Sequence, residues 1–293
     1  MLSLAAFFAI IGTIGWGLSN ASAKRMVERF GPVRAIVFRN FIAVSILAVA
    51  SLAVGIPDTF TVRMLAFGIA LSFIGYFPFI FFLKGLEKGK VGVVYPISAG
   101  WVILAALIGI LFLGDTLTML KAASLALIII GVLVSAVHFT ELKKSDLFSM
   151  KSGVPYALVS AILWGVVFAF FIYPAEALGG VFFALMVEGV VFITAFLHLI
   201  VKRERLIQGV EEKRLLKKSI PFVFVSGIGA GFGTMFINFG YATGEIAIVS
   251  AIAGAQIVVA GVFAHFIYGE RLSKQQYIGI LLVLIGIVCA AII

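Results

Sequence analysis

Along the chain, long apolar runs alternate with short breaks of glycine, proline or charge. The runs cover about 3–22, 33–55, 64–84, 91–113, 118–139, 153–172, 180–201, 219–241, 246–268 and 273–293. Each is close to the roughly 20 residues a helix needs to cross a hydrocarbon layer. The breaks carry turn or charge signals: Gly31-Pro32, Pro57-Asp58, Gly89-Lys90, Gly114-Asp115, Pro174 with Gly179-Gly180, and Gly244-Glu245. The pattern predicts an all-α integral membrane protein with ten transmembrane helices.

Composition narrows the classes. Of 293 residues, 63% are hydrophobic and only 12% charged, with a mean hydropathy of +1.22. A soluble domain is about 45–50% apolar and about 25% charged. A globule of this size cannot hide so much apolar surface from water. A soluble enzyme, a disordered chain and a disulfide scaffold are excluded. Cys289 is alone, so neither a disulfide within one chain nor a thiolate metal site is expected. No metal and no cofactor are expected. His138, His198 and His265 each sit near the end of an apolar run and read as interfacial or packed.

The net charge of +9 changes the picture through its placement. Nucleic-acid binding needs a basic face on a soluble fold. Here the basic residues lie in short stretches between apolar runs, so anionic lipid headgroups are the expected neighbours and no nucleic acid is expected. Every Lys and Arg except Arg63 and Lys121 falls in or beside the loops after runs 1, 3, 5, 7 and 9. The densest stretch runs from Lys202 to Lys218 and reads as a solvated cytoplasmic loop. By the positive-inside rule the odd-numbered loops are cytoplasmic and both termini lie outside. A multi-pass protein of the inner or plasma membrane is expected. The first run lacks a basic n-region, so it reads as a span and not as a signal peptide.

The chain also repeats itself. At a shift of 155, residues 85–136 fall on 240–291. Gly85 meets Gly240, Gly89 meets Gly244 and Val94 meets Val249. Gly114-Asp115 meets Gly269-Glu270, and Leu117-Thr118 meets Leu272-Ser273. Trp16-Gly17 meets Trp164-Gly165 at a shift of 148. The expected units are a first five-helix repeat over 1–140, a cytoplasmic linker over 141–152 and a second repeat over 153–293. Five helices per repeat reverse the direction of the chain, so the second half is expected inverted in the membrane. Inverted repeats are a common build of secondary transporters, with the substrate site between the halves.

These residues carry a resemblance. Ten helices in two halves, the paired Trp-Gly at 16–17 and 164–165, and the Gly-acid-x-Leu-Thr/Ser junctions at 114–118 and 269–273 resemble an EamA-type permease of the drug/metabolite transporter (DMT) superfamily. Arg39 falls where that family often has an arginine. Two features depart from its pattern. Val102 and Ile257 stand where members often carry a proline, and the proline of the fourth helix is Pro96. Many members are also described with cytoplasmic termini, whereas the charges here place them outside. The resemblance implies outward transport of small metabolites such as amino acids, or of amphipathic organic compounds.

Candidate functional residues are the polar and aromatic groups inside the runs. An ionisable group at a helix centre costs about 2.5–3.5 kcal/mol on insertion scales and usually faces a cavity or a partner. Glu188 is the one acid well inside a run, and Arg39 holds the equivalent place at a shift of 149. Both are expected to face the interior, as a structural pair or as a coupling site. Trp16, Trp101 and Trp164 with Tyr76 and Tyr95 are candidates to line an amphipathic cavity, with plain packing as the alternative. Asn20, Asn40, Asn238 and Gln256 want partners in lipid; Asn238 and Gln256 are candidate substrate contacts, and bundle-holding hydrogen bonds are the alternative. Pro78 and Pro96 interrupt the third and fourth helices. Gly227, Gly229, Gly231 and Gly233 read as close packing or as a pliable gate.

The phosphate-loop pattern needs glycine where Lys84 stands ahead of Gly89-Lys90, so no nucleotide site is expected. The expected function is a secondary, non-ATP transporter working by alternating access, with a small-molecule substrate and with protons or another ion as the coupling partner. A channel or facilitator is the alternative, and an intramembrane enzyme the more distant one.

Overall fold

The computed structural model describes residues 3–89, 91–136, 149, 152–268 and 273–291. The second Gly-acid pair at 269–270 and most of the expected linker lie outside the described residues. Among those described there are thirteen α-helices and no strand. They are α1 Leu4–Phe30, α2 Pro32–Val54, α3 Val62–Lys88, α4 Val91–Ala99, α5 Trp101–Phe112, α6 Met119–Ala136, α7 Val154–Ala169, α8 Ile172–Leu178, α9 Gly180–Val201, α10 Gly209–Thr243, α11 Ile246–Gly254, α12 Gln256–Tyr268 and α13 Lys274–Ala291.

Two of the expected helices come in two pieces. The run at 91–113 divides into α4 and α5 at Gly100, and the run at 246–268 divides into α11 and α12 at Ala255. After the sixth run the chain bends by 44° into α8, which is helical across Pro174, where a break was expected. The breaks at Gly100 and Ala255 differ by 155 residues, the repeat offset, and share the same pair of tight bonds. Gly100 N donates to Ile97 O and Ile103 N to Gly100 O. Ala255 N donates to Ile252 O and Val258 N to Ala255 O. Each break is thus a single turn of 3₁₀ geometry, which shifts the helix axis without freeing a long stretch of backbone. Neither expected proline marks a break: α3 runs unbroken through Pro78, and Pro96 lies inside α4, four residues before Gly100.

Among the described residues, six helices are long and apolar enough to cross a membrane, with 246–263 counted as one, or seven if the bent pair α7–α8 is one span. Three more apolar helices are shorter, at 97–112, 119–134 and 274–290. Burial is arranged for lipid. Phe41, Leu52, Ile193, Ile200 and Leu281 are exposed, while Ser19, Asn40, Ser72, Ser226, Thr234 and Ser250 are buried. Hydrocarbon can solvate the first set but not the second, so the hydroxyls and amides turn inward to one another. α10 has 35 residues, about 52 Å at the usual rise, longer than the hydrocarbon layer. Its first turns carry Glu211, Glu212, Lys213, Arg214, Lys217 and Lys218, which continue the helix into polar surroundings.

The two halves interleave, and their contacts come in exchanged pairs. α1 packs on α10 as α7 packs on α3; α1 touches α11 and α12 as α7 touches α4 and α5. α2 meets α9, its own mate, and α6 meets α13. The small residues show the exchange atom by atom. A side chain at Gly17 would strike Val259, and one at Gly165 would strike Leu104. Gly85 lies against Val94 and the Gly153 carbonyl, while Gly240 lies against Val249 and the Ala5 carbonyl. Gly131 sits on α13 and Gly286 on α6. Each contact maps onto its partner by the sequence shifts of 148 and 155.

The glycine ladder of α10 serves two neighbours. Gly229 and Gly233 face α1, and Gly227 and Gly231 face α2. A Cβ on Gly229 would lie 2.5 Å from the Gly15 carbonyl, and one on Gly15 would lie 2.8 Å from Gly233 Cα. Such backbone proximity is how helices gain dispersion contact in lipid, where no hydrophobic drive brings them together.

Candidate functional site

Between the halves lies a cavity of about 100 Å³, lined from α1, α2, α3, α4, α5, α7, α9, α10 and α12. Its polar side is built on one ion pair. Arg39 Nη1 donates to Glu188 Oε2 at 3.0 Å, with both side chains under a tenth exposed. Asn40 holds the same carboxylate, with Nδ2 donating to Oε2 at 2.8 Å and to the Glu188 carbonyl at 3.1 Å. Thr234 Oγ1 donates to Oε1 at 2.5 Å, and Trp16 Nε1 donates to Thr234 Oγ1 at 3.1 Å. Arg39 also donates through Nε to Ser19 Oγ at 3.0 Å and through Nη1 to Asn40 Oδ1 at 2.7 Å. The guanidinium carbon lies 4.8 Å from the centre of the Phe79 ring. Charge is therefore balanced in place, and α1, α2, α9 and α10 are tied to one carboxylate. In hydrocarbon an unpaired member would carry the full desolvation cost.

The apolar side is aromatic. Phe168 is its hub, with its ring centroid 4.7 Å from that of Trp101, 5.5 Å from that of Trp16 and 6.2 Å from that of Trp164. Phe82 links Trp164 to Tyr95, at 5.5 Å and 5.0 Å. A second polar point lies between α1 and α12, where Asn20 Nδ2 donates to Gln256 Oε1 at 2.7 Å. Both residues line the cavity, as does Ser98, whose buried hydroxyl has no hydrogen-bond partner among the described residues.

Of the candidates drawn from sequence, Trp16, Tyr95, Trp101, Trp164, Gln256, Arg39 and Glu188 line this cavity. Tyr76 and Asn238 do not. Tyr76 is buried elsewhere, with its hydroxyl 2.6 Å from His198 Nδ1. Asn238 is 1% exposed, and its Nδ2 has no hydrogen-bond partner among the described residues. Sequence reasoning missed Phe168 and Thr234. Phe168 stands one turn after Trp164 on the same helix, a spacing that puts both on one face. Thr234 stands one turn before Asn238 on α10, so the sequence points to the right helix but one turn away.

The Gly-acid junction has a different role. Gly114 turns the chain at φ +85°, a conformation glycine adopts without strain. Asp115 Oδ2 then accepts from Ala247 N at 2.7 Å, at the first turn of α11 in the other half. Burial raises the Asp115 carboxyl above its ordinary range, against the lowering effect of that backbone bond. Beside it Lys121 Nζ meets both Glu245 oxygens at 2.7 Å. Burial disfavours the charged Glu245, but the Lys121 and Thr116 donors outweigh it and hold the carboxyl below its ordinary range.

A family model described as the EamA-like transporter family matches the chain twice, over residues 3–137 and 151–292. No curated protein matches significantly. Among solved structures, one described only as a crystal structure of a protein aligns over 99% of both chains, with a TM-score of 0.76 and 18% identity. That similarity is one of fold.

Proposed function

The chain belongs to the EamA-like transporter family, and on that premise we propose a secondary transporter of small metabolites, such as amino acids or amphipathic organic compounds, working by alternating access. The observation that carries this reading is the Arg39–Glu188 pair set in an aromatic-walled cavity between two interleaved halves. The balanced charges keep the empty site tolerable in a low dielectric, and the aromatic wall offers stacking and cation–π contact to an amphipathic cargo.

In this reading α4–α5, α7–α8 and α11–α12 are each one span, which gives ten. The first repeat is 1–140, the linker 141–152 and the second, inverted repeat 153–293. Trp16, Tyr95, Trp101, Trp164 and Gln256 contact the cargo, and Arg39 and Glu188 couple its passage to charge. A proton on Glu188 would leave Arg39 unbalanced. Coupling to protons or another ion through Glu188 therefore needs the cargo, or a movement of α9 against α2, to part the pair. The basic loops lie in the cytoplasm, both termini lie outside, and transport runs outward across the inner or plasma membrane. The partners are the bilayer and a small molecule.

Counterflow in proteoliposomes tests the reading. A carrier accelerates uptake of labelled substrate when unlabelled substrate is on the opposite side. Equal uptake with and without it would assign a channel instead. Cytoplasmic activity of a reporter fused to the C-terminus would overturn the orientation.

A further inference from the structure

The nine residues of α11 are all buried, from Ile246 at 0% to Gly254. Along the chain α11 runs from Glu245 to the break at Ala255, and the next residue, Gln256, lines the cavity. α11 therefore stands as a packed plug between the cavity and one end of the bundle, against α1 and α5.

What holds that end is polar and crosses between the halves. From the first half, Asp115 takes the Ala247 amide of α11, Thr116 donates through N and Oγ1 to Glu245 Oε1, and Lys121 clasps both Glu245 oxygens. Lys121 Nζ also donates to Thr116 Oγ1 at 2.6 Å. The Lys121 and Glu245 side chains remain 14% and 30% exposed, so water can reach the pair. The repeat does not reproduce this pair. At a shift of 155 the mate of Lys121 is Gln276 and the mate of Glu245 is Lys90. Lys121 is moreover one of only two basic residues on that side of the charge map.

We propose that Lys121 and Glu245, with Thr116 and Asp115, form a latch that closes this end of the bundle over α11 and opens once in each transport cycle. The proposal rests on the alternating-access reading above. Opening this end requires α11 to leave α5 and α1, and the latch is what the first half must release. Its mates at the repeat offset, Gln276 and Lys90, cannot form the same ion pair, so the repeat does not build this latch a second time.

Pulsed dipolar spectroscopy on the full chain tests it. Spin labels are attached at positions 117 and 243 through the substitutions Leu117→Cys and Thr243→Cys, in a Cys289→Ser background. Both positions are exposed and flank the latch from opposite halves. Lys121→Gln and Glu245→Gln are each expected to raise the long-distance population about two- to fivefold, the shift that a partly exposed ion pair supports. The charge swap Lys121→Glu with Glu245→Lys is expected to restore the wild-type distribution, which also controls for loss of folding. An unchanged distribution in both single variants would overturn the latch, as would a swap that leaves the long distance raised. The distances are read without substrate. Failure of counterflow would therefore remove the carrier reading and leave the distances standing as a measurement.

Discussion

Arg39 and Glu188 are 149 residues apart in the chain and 3.0 Å apart in the fold. At the repeat offset of 148 the mate of Glu188 is Asn40, the residue after Arg39, and Asn40 also bonds the Glu188 carboxylate, so α2 and α9 bring nearly equivalent positions together. Removing one strands the other in a buried site, which costs about 3–5 kcal/mol. Glu188→Leu and Arg39→Met are each expected to lower the melting temperature and abolish transport. The double variant is expected to be more stable than either single variant. Thermal unfolding in detergent, compared across this cycle, checks it, and an additive double variant would contradict the pairing.

Thr234 passes the Trp16 indole to the Glu188 carboxylate. Thr234→Val keeps the shape and removes both bonds, the one to the indole worth about 0.5–1.5 kcal/mol and the one to the carboxylate about 1.5–3 kcal/mol. Transport by this variant is expected to fall, because one carboxylate oxygen loses its donor. Thr234→Ser is expected to restore it. Trp101→Ala and Trp164→Ala are expected to weaken substrate binding, read by thermal shift against a metabolite library.

The α1–α10 seam leaves no space for side chains. Gly229→Leu and Gly15→Leu are expected to destabilise by about 1–3 kcal/mol or more, because backbone is what they strike. Gly189→Ala and Gly261→Ala meet nothing within 4 Å and are expected to be neutral in the same unfolding assay.

The two acids at the latch titrate in opposite senses. Glu245 is held below its ordinary range, so its contribution is present above the unfolded value and fades as pH falls through the folded one. The stability gap between wild type and Glu245→Gln is thus expected to shrink on acidification below the usual carboxylate range. Asp115 is raised, so its contribution is largest at low pH and is lost as pH rises through its folded value. The gap between wild type and Asp115→Asn is expected to move the other way. Melting curves across pH separate the two.

Asn238 is buried with an Nδ2 that finds no partner among the described residues. An apolar residue of similar volume escapes that desolvation cost. Asn238→Leu is expected to leave stability unchanged or raise it, and to leave transport intact. A loss of transport with unchanged stability would assign Asn238 a contact with the cargo.

The apolar runs and the two offsets were enough to show a membrane-spanning chain built of two repeats, and the deep charges singled out Arg39 and Glu188 but left open whether they pair. Lipid imposes these on local sequence: a span must be long and apolar, and a deep charge needs a partner. The positions of the breaks were not legible in the same way. Gly100 and Ala255 share an offset, yet Ala255 is neither proline nor glycine; beside it Gly254 packs closely on Val102. Nor could sequence tell that Asp115 meets α11 across 132 residues, that Thr234 rather than Asn238 reaches the cavity, or that Tyr76 turns to His198. One turn of helix decides which face a residue shows, and only the neighbouring helices decide which face the cavity receives. Sequence by itself determined the solvent, the repeat and the candidate charges, because each follows from the free energy of a segment in lipid. The tertiary structure alone decided which polar groups meet, because that depends on the crossing of helices far apart in the chain.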